Sequence, residues 1–222
     1  MSRMTNMYGL SVPDRPRPSG VRVLLDFDGV VLKNHPIQQR VGQLCTQFVE
    51  KRTKLKKSAT VLNKNLYSAY GHTVLGLNAL GYETSKDEFN EFVYGQINYE
   101  DFRDIRDTHC SDVLEYKRVY EWFRGQSRYD LTIFSNAPDL WTSTISRMMI
   151  DEEVPSLAGQ MGEFFKPQRE CYDAVDKAHG SAHGSGSIVF LDDNLMNVVE
   201  SPESWKSLLY CPKIDMLDQL AR

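Results

Sequence analysis

The sequence predicts an α/β protein in which a mostly parallel sheet carries an inserted all-helical segment. Three observations lead there. The short stretches "VRVLL", "RYDLTIFS" and "SIVFL" read as strands, and the largely apolar runs among them are typical of parallel strands covered on both faces. Stretches with a helical period alternate with them, as they do when helices connect parallel strands. Between positions 33 and 108 the helical period persists and no strand signal appears.

Each element has its own signal along the chain. Residues 1–20 form a Pro-rich arm with Arg3, Arg15 and Arg17 against one acid, Asp14. It lacks the apolar centre of a secretory signal, so a flexible arm is expected, with an organelle transit segment as the alternative. Val21 to Leu25 is the first strand, and Gly29 breaks the run after it. "HPIQQRVGQLCTQFVEKR" places Ile37, Val41, Leu44, Cys45 and Phe48 on one helical face. "SATVLNKNLYSAYGHTVLGLNAL" continues that period from Ser58, an expected N-cap, and "SKDEFNEFVYGQI" repeats it briefly. "SDVLEYKRVYEWF" is a helix, with Trp122 and Phe123 expected in the core. A strand ending at Ser135, a helix over 139–150 and a short "EFF" strand before Lys166 come next. "QRECYDAVDKAHG" is a helix with Gly180 as its stop, followed by the loop "GSAHGSGS". "SIVFL" and "SLLYC" supply the last strands. The expected domains are thus the arm 1–20, a core of 21–32 and 109–222, and the helical insert 33–108.

Composition narrows the function classes. The chain has 222 residues, 41% of them hydrophobic and 25% charged, which suits a folded protein with one sizeable core. A net charge of −4 argues against a general nucleic-acid binder. No apolar run is long enough to span a bilayer. Cys45, Cys110, Cys171 and Cys211 are far apart with no CxxC pair, so unpaired thiols of a cytoplasmic protein are expected. The basic run "KRTKLKK" reads as a solvated helix end.

The chemistry lies where the strands end. Ligands of open α/β sheets gather at the carboxyl ends of the strands. Those ends deliver Asp26 and Asp28, Ser135 and Asn136, Lys166, and Asp192 and Asp193. Converging carboxylates repel each other, and a hard divalent cation, most simply Mg²⁺, relieves that repulsion. Carboxylates, a hard cation, a hydroxyl and a lysine together suit phosphoryl transfer. A carboxylate can act as nucleophile, cations offset charge on phosphoryl oxygens, and a second carboxyl can move protons.

"DFDGVV", the Ser of "TIFSNAP", the Lys of "FFKPQRECYDA" and "FLDDNLMNV" resemble, in order, the four motifs of the haloacid dehalogenase-like (HAD) hydrolases. The resemblance covers 21–32 and roughly 111–212. It implies a Rossmann-like core with a helical cap at 33–108 that selects a small substrate. It implies Asp26 as nucleophile and Asp28 as acid/base, the latter also offering its backbone carbonyl to Mg²⁺. Ser135 would bind the phosphoryl group and Lys166 would pair with it and with Asp26, while Asn136 and Asn197 would support. Asp193 matches the direct metal ligand and Asp192 the water-mediated one, with the order of the two left open. Family members that dehalogenate carbon lack an acid at the Asp28 position, so phosphate esters are favoured. "YGHTVLGL", with "SNA" and "LDDNLMN", is similar to the pyrimidine 5′-nucleotidase branch and makes Tyr70 and His72 candidates for specificity. After the fourth motif, "VVESPESWKSLL" lacks the family's usual small residues and glycine.

Bland alternatives stand beside these assignments. The aspartates could be turn formers, Ser135 a helix cap and Lys166 a surface lysine. His72 and His183 lack metal-ligand spacing and suit surface or loop roles, and Tyr67, Tyr70, Phe89 and Phe92 suit packing among the helices. Four motifs, each after a strand-like run, outweigh any one of these. The expected activity is Mg²⁺-dependent hydrolysis of a small phosphomonoester, a nucleoside monophosphate first, through an aspartyl-phosphate. A sugar-phosphate phosphatase or phosphomutase, or a non-catalytic binding protein on the same fold, are the alternatives; no nucleic-acid or membrane partner is expected.

Overall fold

Four strands form one parallel sheet in the order β2-β1-β3-β4, where β1 is Val21–Leu25, β2 Tyr129–Ile133, β3 Ile188–Asp192 and β4 Lys206–Leu209. The computed structural model describes residues 20–33, 35–106, 110–158, 161–183 and 187–221. The expected arm 1–20 lies, apart from Gly20, outside them, as do 184–186 of the expected loop.

The two central strands, β1 and β3, are buried because they are largely apolar on both faces, while the edge strand β4 is partly exposed. Val23 and Leu25 of β1 join one apolar cluster with Val189 and Leu191 of β3. Leu24, between them, joins the other with Ile188 and Phe190. Alternate side chains of a strand point to opposite faces, so one run feeds two cores. Helices α5 (Ser111–Arg124) and α6 (Asp139–Ile150) supply Tyr116, Phe123, Trp141 and Ile145 to the first cluster. Helix α7 (Arg169–His183) supplies Cys171, Tyr172 and Val175 to the second. The short helices α8 (Leu195–Val199) and α9 (Met216–Leu220) flank β4 in sequence. The segment without the family's small residues packs instead through Trp205, which is buried and donates to Asp176 Oδ1 at 2.9 Å.

Between β1 and α5 the described chain is helical, with no strand: α1 (Pro36–Thr53), α2 (Ala59–Tyr70), α3 (Thr73–Ala79), α4 (Lys86–Val93) and two 3₁₀ segments, Lys56–Ser58 and Tyr99–Arg106. Helix α1 starts sharply because the His35 Nδ1 accepts from the Ile37 amide at 3.2 Å and Pro36 takes a position where no amide is needed. The apolar faces of α1–α4 join the first sheet cluster through Leu44, Phe48, Leu66, Leu77 and Phe89.

Several local expectations are corrected. "EFF" is not a strand: 163–165 lie in a turn, Phe164 is exposed and only Phe165 is buried. The pairing beyond β2 is a single parallel bridge from Ile133 to Ser156. Positions 59–79 are two helices, not one, because the chain reverses at Gly71, whose φ of 76° suits glycine. Ser58 stands at the N-cap of α2 without a side-chain hydrogen bond. Gly180 does not stop α7, which runs on to His183; one glycine costs a helix only about 1 kcal/mol. Trp122 is not core: it is 42% exposed, because the buried stripe of α5 runs through Val113, Tyr116, Val119 and Phe123 and Trp122 lies one residue off it. The described cysteines are all free thiols. No described helix is long and apolar enough to cross a membrane.

Candidate active site

The order β2-β1-β3 brings three strand ends side by side; Asp26 follows β1, Ser135 and Asn136 follow β2, Asp192 ends β3 with Asp193 after it, and Lys166 reaches them from the turn at 162–167. Asp26 comes directly after β1; its amide donates to the Leu191 carbonyl of β3 at 2.9 Å, which fixes where its carboxylate emerges. The chain then folds into a tight loop closed by the Val31 and Leu32 amides on the Phe27 carbonyl. Gly29 sits in it at φ 101°, so close to Asp193 that a Cβ would lie 2.1 Å from its Oδ2. The loop turns Asp28 away from the Asp26–Asp192–Asp193 cluster, and the Trp141 indole donates to Asp28 Oδ1 at 3.2 Å.

Lys166 stands at the centre. Its ammonium donates to Asp26 Oδ1 at 3.0 Å, to Asp192 Oδ2 at 2.6 Å and to the Phe134 carbonyl at 2.6 Å, and it is 1% exposed. A fully buried cation persists only when paired and hydrogen-bonded. Burial opposes its charge, yet Asp192 and Asp26 outweigh burial, so its pKa is raised. The surface-lysine alternative is thereby corrected. Asn136 holds the lysine's backbone both ways, accepting from the Lys166 amide at 2.7 Å and donating to its carbonyl at 3.0 Å. Ser135 is buried, and its Oγ accepts from the Ala137 amide at 3.2 Å, so it caps the turn leaving β2 and also lines the cavity.

The two adjacent aspartates differ. Asp192 is wholly buried; Lys166, the Asn194 amide at 2.8 Å and the Asn197 amide group at 3.0 and 3.1 Å occupy both its oxygens. Asp193 stands beside Gly29, is more exposed than Asp192 and lines the cavity that opens over the site. Carboxylate oxygens of Asp26, Asp192 and Asp193 lie within 4.8 Å of one another. Burial and the neighbouring carboxylates push Asp26 well above the usual range, although Lys166 pulls it down. Burial and Asp192 push Asp193 to about 6. Burial takes Asp28 to about 7 against the Trp141 hydrogen bond. Oxygen donors crowded this closely, at a cost to their ionisation, suit a hard divalent cation.

A cavity of about 300 Å³ opens over these groups and reaches into the helical segment. Besides the charged residues it is lined by Gln38, Cys45, Asn63, Tyr67, His72 and Tyr94. Tyr70 does not line it. Helix α2 ends at Tyr70, and the side chains it presents to the cavity are Tyr67 and Asn63, one and two turns earlier. The packing role expected of Tyr67 is corrected in the same way. His72 does line the cavity and is not a surface histidine, although it stands in the short link between α2 and α3. It is buried, its Nδ1 accepts from the Val74 amide at 3.2 Å as the cap of α3, and its ring stacks on Phe165 at 3.8 Å. Burial and Lys86 push its pKa down to about 3, so it is neutral. Gln38, Trp141 and Tyr94 carry no local signal; only packing brings them here. Tyr67 had one, a helical spacing shared with Asn63.

Four motif residues separated in sequence, Asp26, Ser135, Lys166 and Asp192, thus meet at one rim. No family model matches the chain, and no curated protein does. Among solved structures, one described as a dehalogenase aligns at 13% identity over 89% of this chain and 86% of its own, with a TM-score of 0.46. Another, a predicted HAD-like family hydrolase from Porphyromonas gingivalis, aligns at 15% identity over 92% of this chain and 98% of its own, with a TM-score of 0.40.

Proposed function

We propose that the chain is a Mg²⁺-dependent phosphatase acting on a small phosphomonoester, with a nucleoside monophosphate as the first candidate. The observation that carries it is the buried Lys166, bound to Asp26 and Asp192, with a second carboxyl, Asp28, in the same cavity. A dehalogenase-type member of the resembled family lacks that second acid; its presence here favours chemistry with a leaving oxygen to protonate.

Asp26 attacks phosphorus and becomes an aspartyl-phosphate. Lys166 holds the attacking carboxylate in place and offsets charge on the transferring group. Ser135 offers its hydroxyl to a phosphoryl oxygen. Asp28, whose burial favours the protonated form, gives its proton to the leaving alkoxide and then takes one from the water that hydrolyses the intermediate. Asp26 and Asp193, with the Asp28 carbonyl, would hold Mg²⁺ directly, and Asp192, its oxygens already engaged, would stand behind them. The ion supplies charge neutralisation on the phosphoryl oxygens. The helices over the cavity act as the cap, and Tyr67 and Tyr94 offer ring faces for a leaving group.

The cavity, about 300 Å³, is at the low end for ligand sites. That size favours a second substrate, a sugar phosphate hydrolysed by the same steps. An aryl phosphate assay with and without Mg²⁺ tests the class. Asp26→Asn is expected to stay folded and lose turnover by about 10³-fold or more, as other catalytic nucleophiles do. Near-normal Mg²⁺-dependent activity in that variant overturns the assignment.

A further inference from the structure

Lys86 is the first residue of α4 and is buried, 7% exposed. A cation at a helix N-terminus opposes the macrodipole, so helix stability does not explain it. Its ammonium reaches the Gly162 carbonyl at 2.9 Å, 76 residues on in sequence, and the Phe164 carbonyl at 3.0 Å. It also stands 4.9 Å from the centre of the Phe165 ring. A buried ammonium spent on backbone carbonyls has a large desolvation cost to offset. The recipient is the turn that delivers Lys166.

That turn is gripped from two sides. The core side is the double bond of Asn136 to the Lys166 backbone. The other side is the helical segment: Lys86 on two carbonyls, His72 stacked on Phe165 with 17° between the rings, and Gly71 against Pro167. The fit at Gly71 is tight enough that a Cβ would lie 2.5 Å from Pro167 Cδ. The turn has no strand pairing of its own to hold it.

We propose that Lys86 is a positioning residue: it seats the 162–167 turn so that Lys166 reaches Asp26, and so makes the placement of the central lysine depend on the helical segment being docked. The kinetic half of this rests on the phosphatase reading; the structural half does not.

The test is Lys86→Met in the full chain, which keeps the stem against Phe165 and removes the donors. Amide hydrogen exchange is compared across 162–168 and across β1 and β3. Exchange in the turn is expected to rise about tenfold or more while the strands stay protected. With an aryl phosphate and Mg²⁺, kcat is expected to fall about 10- to 100-fold, the scale of a misplaced catalytic group, with KM changed less than about threefold. Lys86→Arg, which restores charge and donors, is expected to recover part of kcat. Unchanged exchange over 162–168 in the folded variant overturns the proposal. So does a loss of protection spread evenly over the whole chain, which marks a merely structural lysine. A wild type inert on every phosphoester sinks the phosphatase reading and leaves the exchange comparison to decide this one. If Lys86→Met does not fold, Lys86→Gln, which is shorter and uncharged but keeps N–H donors, is read by the same exchange criterion.

Discussion

Tyr67 and Tyr70 stand three residues apart on α2, and only Tyr67 reaches the cavity. Replacing Tyr67 by Ala is therefore expected to shift kcat/KM between a pyrimidine monophosphate and an aryl phosphate by about tenfold, the worth of one good apolar contact. Tyr70→Ala, at an exposed site, is expected to leave both within about twofold and stability within about 0.5 kcal/mol. Equal effects of the two changes, in a kinetic comparison beside melting curves, would remove Tyr67 from substrate recognition. His72 makes a second prediction at this scale. Its folded pKa, about 3, lies below the 6.5 of a free histidine, so between those values the unfolded chain binds the extra proton. Stability from this group is complete above pH 6.5 and falls as pH drops toward 3. The slope it contributes approaches about 1.4 kcal/mol per pH unit. His72→Asn keeps an acceptor for the α3 cap but cannot titrate. Urea unfolding from pH 7 to 4 is expected to show a shallower loss in this variant than in the wild type; parallel curves would mean that His72 titrates normally.

At the scale of elements, the break between α2 and α3 is the informative one. Gly71 allows the reversal at φ 76° and lets the turn carrying Pro167 approach. Gly71→Ala adds left-handed strain of about 1–2 kcal/mol and pushes Pro167 aside. Thermal unfolding is expected to show that loss, and kcat to fall with it because Pro167 is bonded directly to Lys166. A variant destabilised to this extent with unchanged kcat would separate the break from the site. Helix α1 needs no such partner: its cap, its proline and its apolar stripe are all local.

For the whole molecule, crowding of Asp26, Asp192 and Asp193 at the carboxyl end of the sheet is expected to set the response to metal. Saturating Mg²⁺ at about a hundred times its dissociation constant should add about 2.7 kcal/mol, or about 5–10 °C in Tm for a chain of this size. Asp193→Ala should lose most of that gain and melt no lower than the wild type without metal, since it deletes a charge that burial and Asp192 oppose. Calorimetry with Mg²⁺ and with EDTA measures both; a full Mg²⁺ shift in Asp193→Ala would place the ion elsewhere.

The sequence by itself determined the strands and the acids at their ends. "IVFL" is apolar throughout, and "VRVLL" is apolar but for Arg22, which is paired with Asp130, because both faces of a parallel strand are buried; an acid right after such a run must stand at the carboxyl end of the sheet. Helices with their own stripes, such as 36–53 and 139–150, were legible for the same local reason. The choice between neighbours was not. Asp192 and Asp193 leave the sheet in opposite directions, and which one is buried depends on Lys166, 26 residues away, and on how Asn197 folds back. "EFF" reads as a strand because three residues cannot tell a buried strand from a turn with one buried side chain. That turn takes its shape from Asn136 on one side and Lys86 and His72 on the other. Tyr67 lines the cavity, and Tyr70 does not, because of where α2 ends and how it packs against α1 and α3. Only the tertiary structure decided these points, because each rests on contacts between residues far apart in the chain.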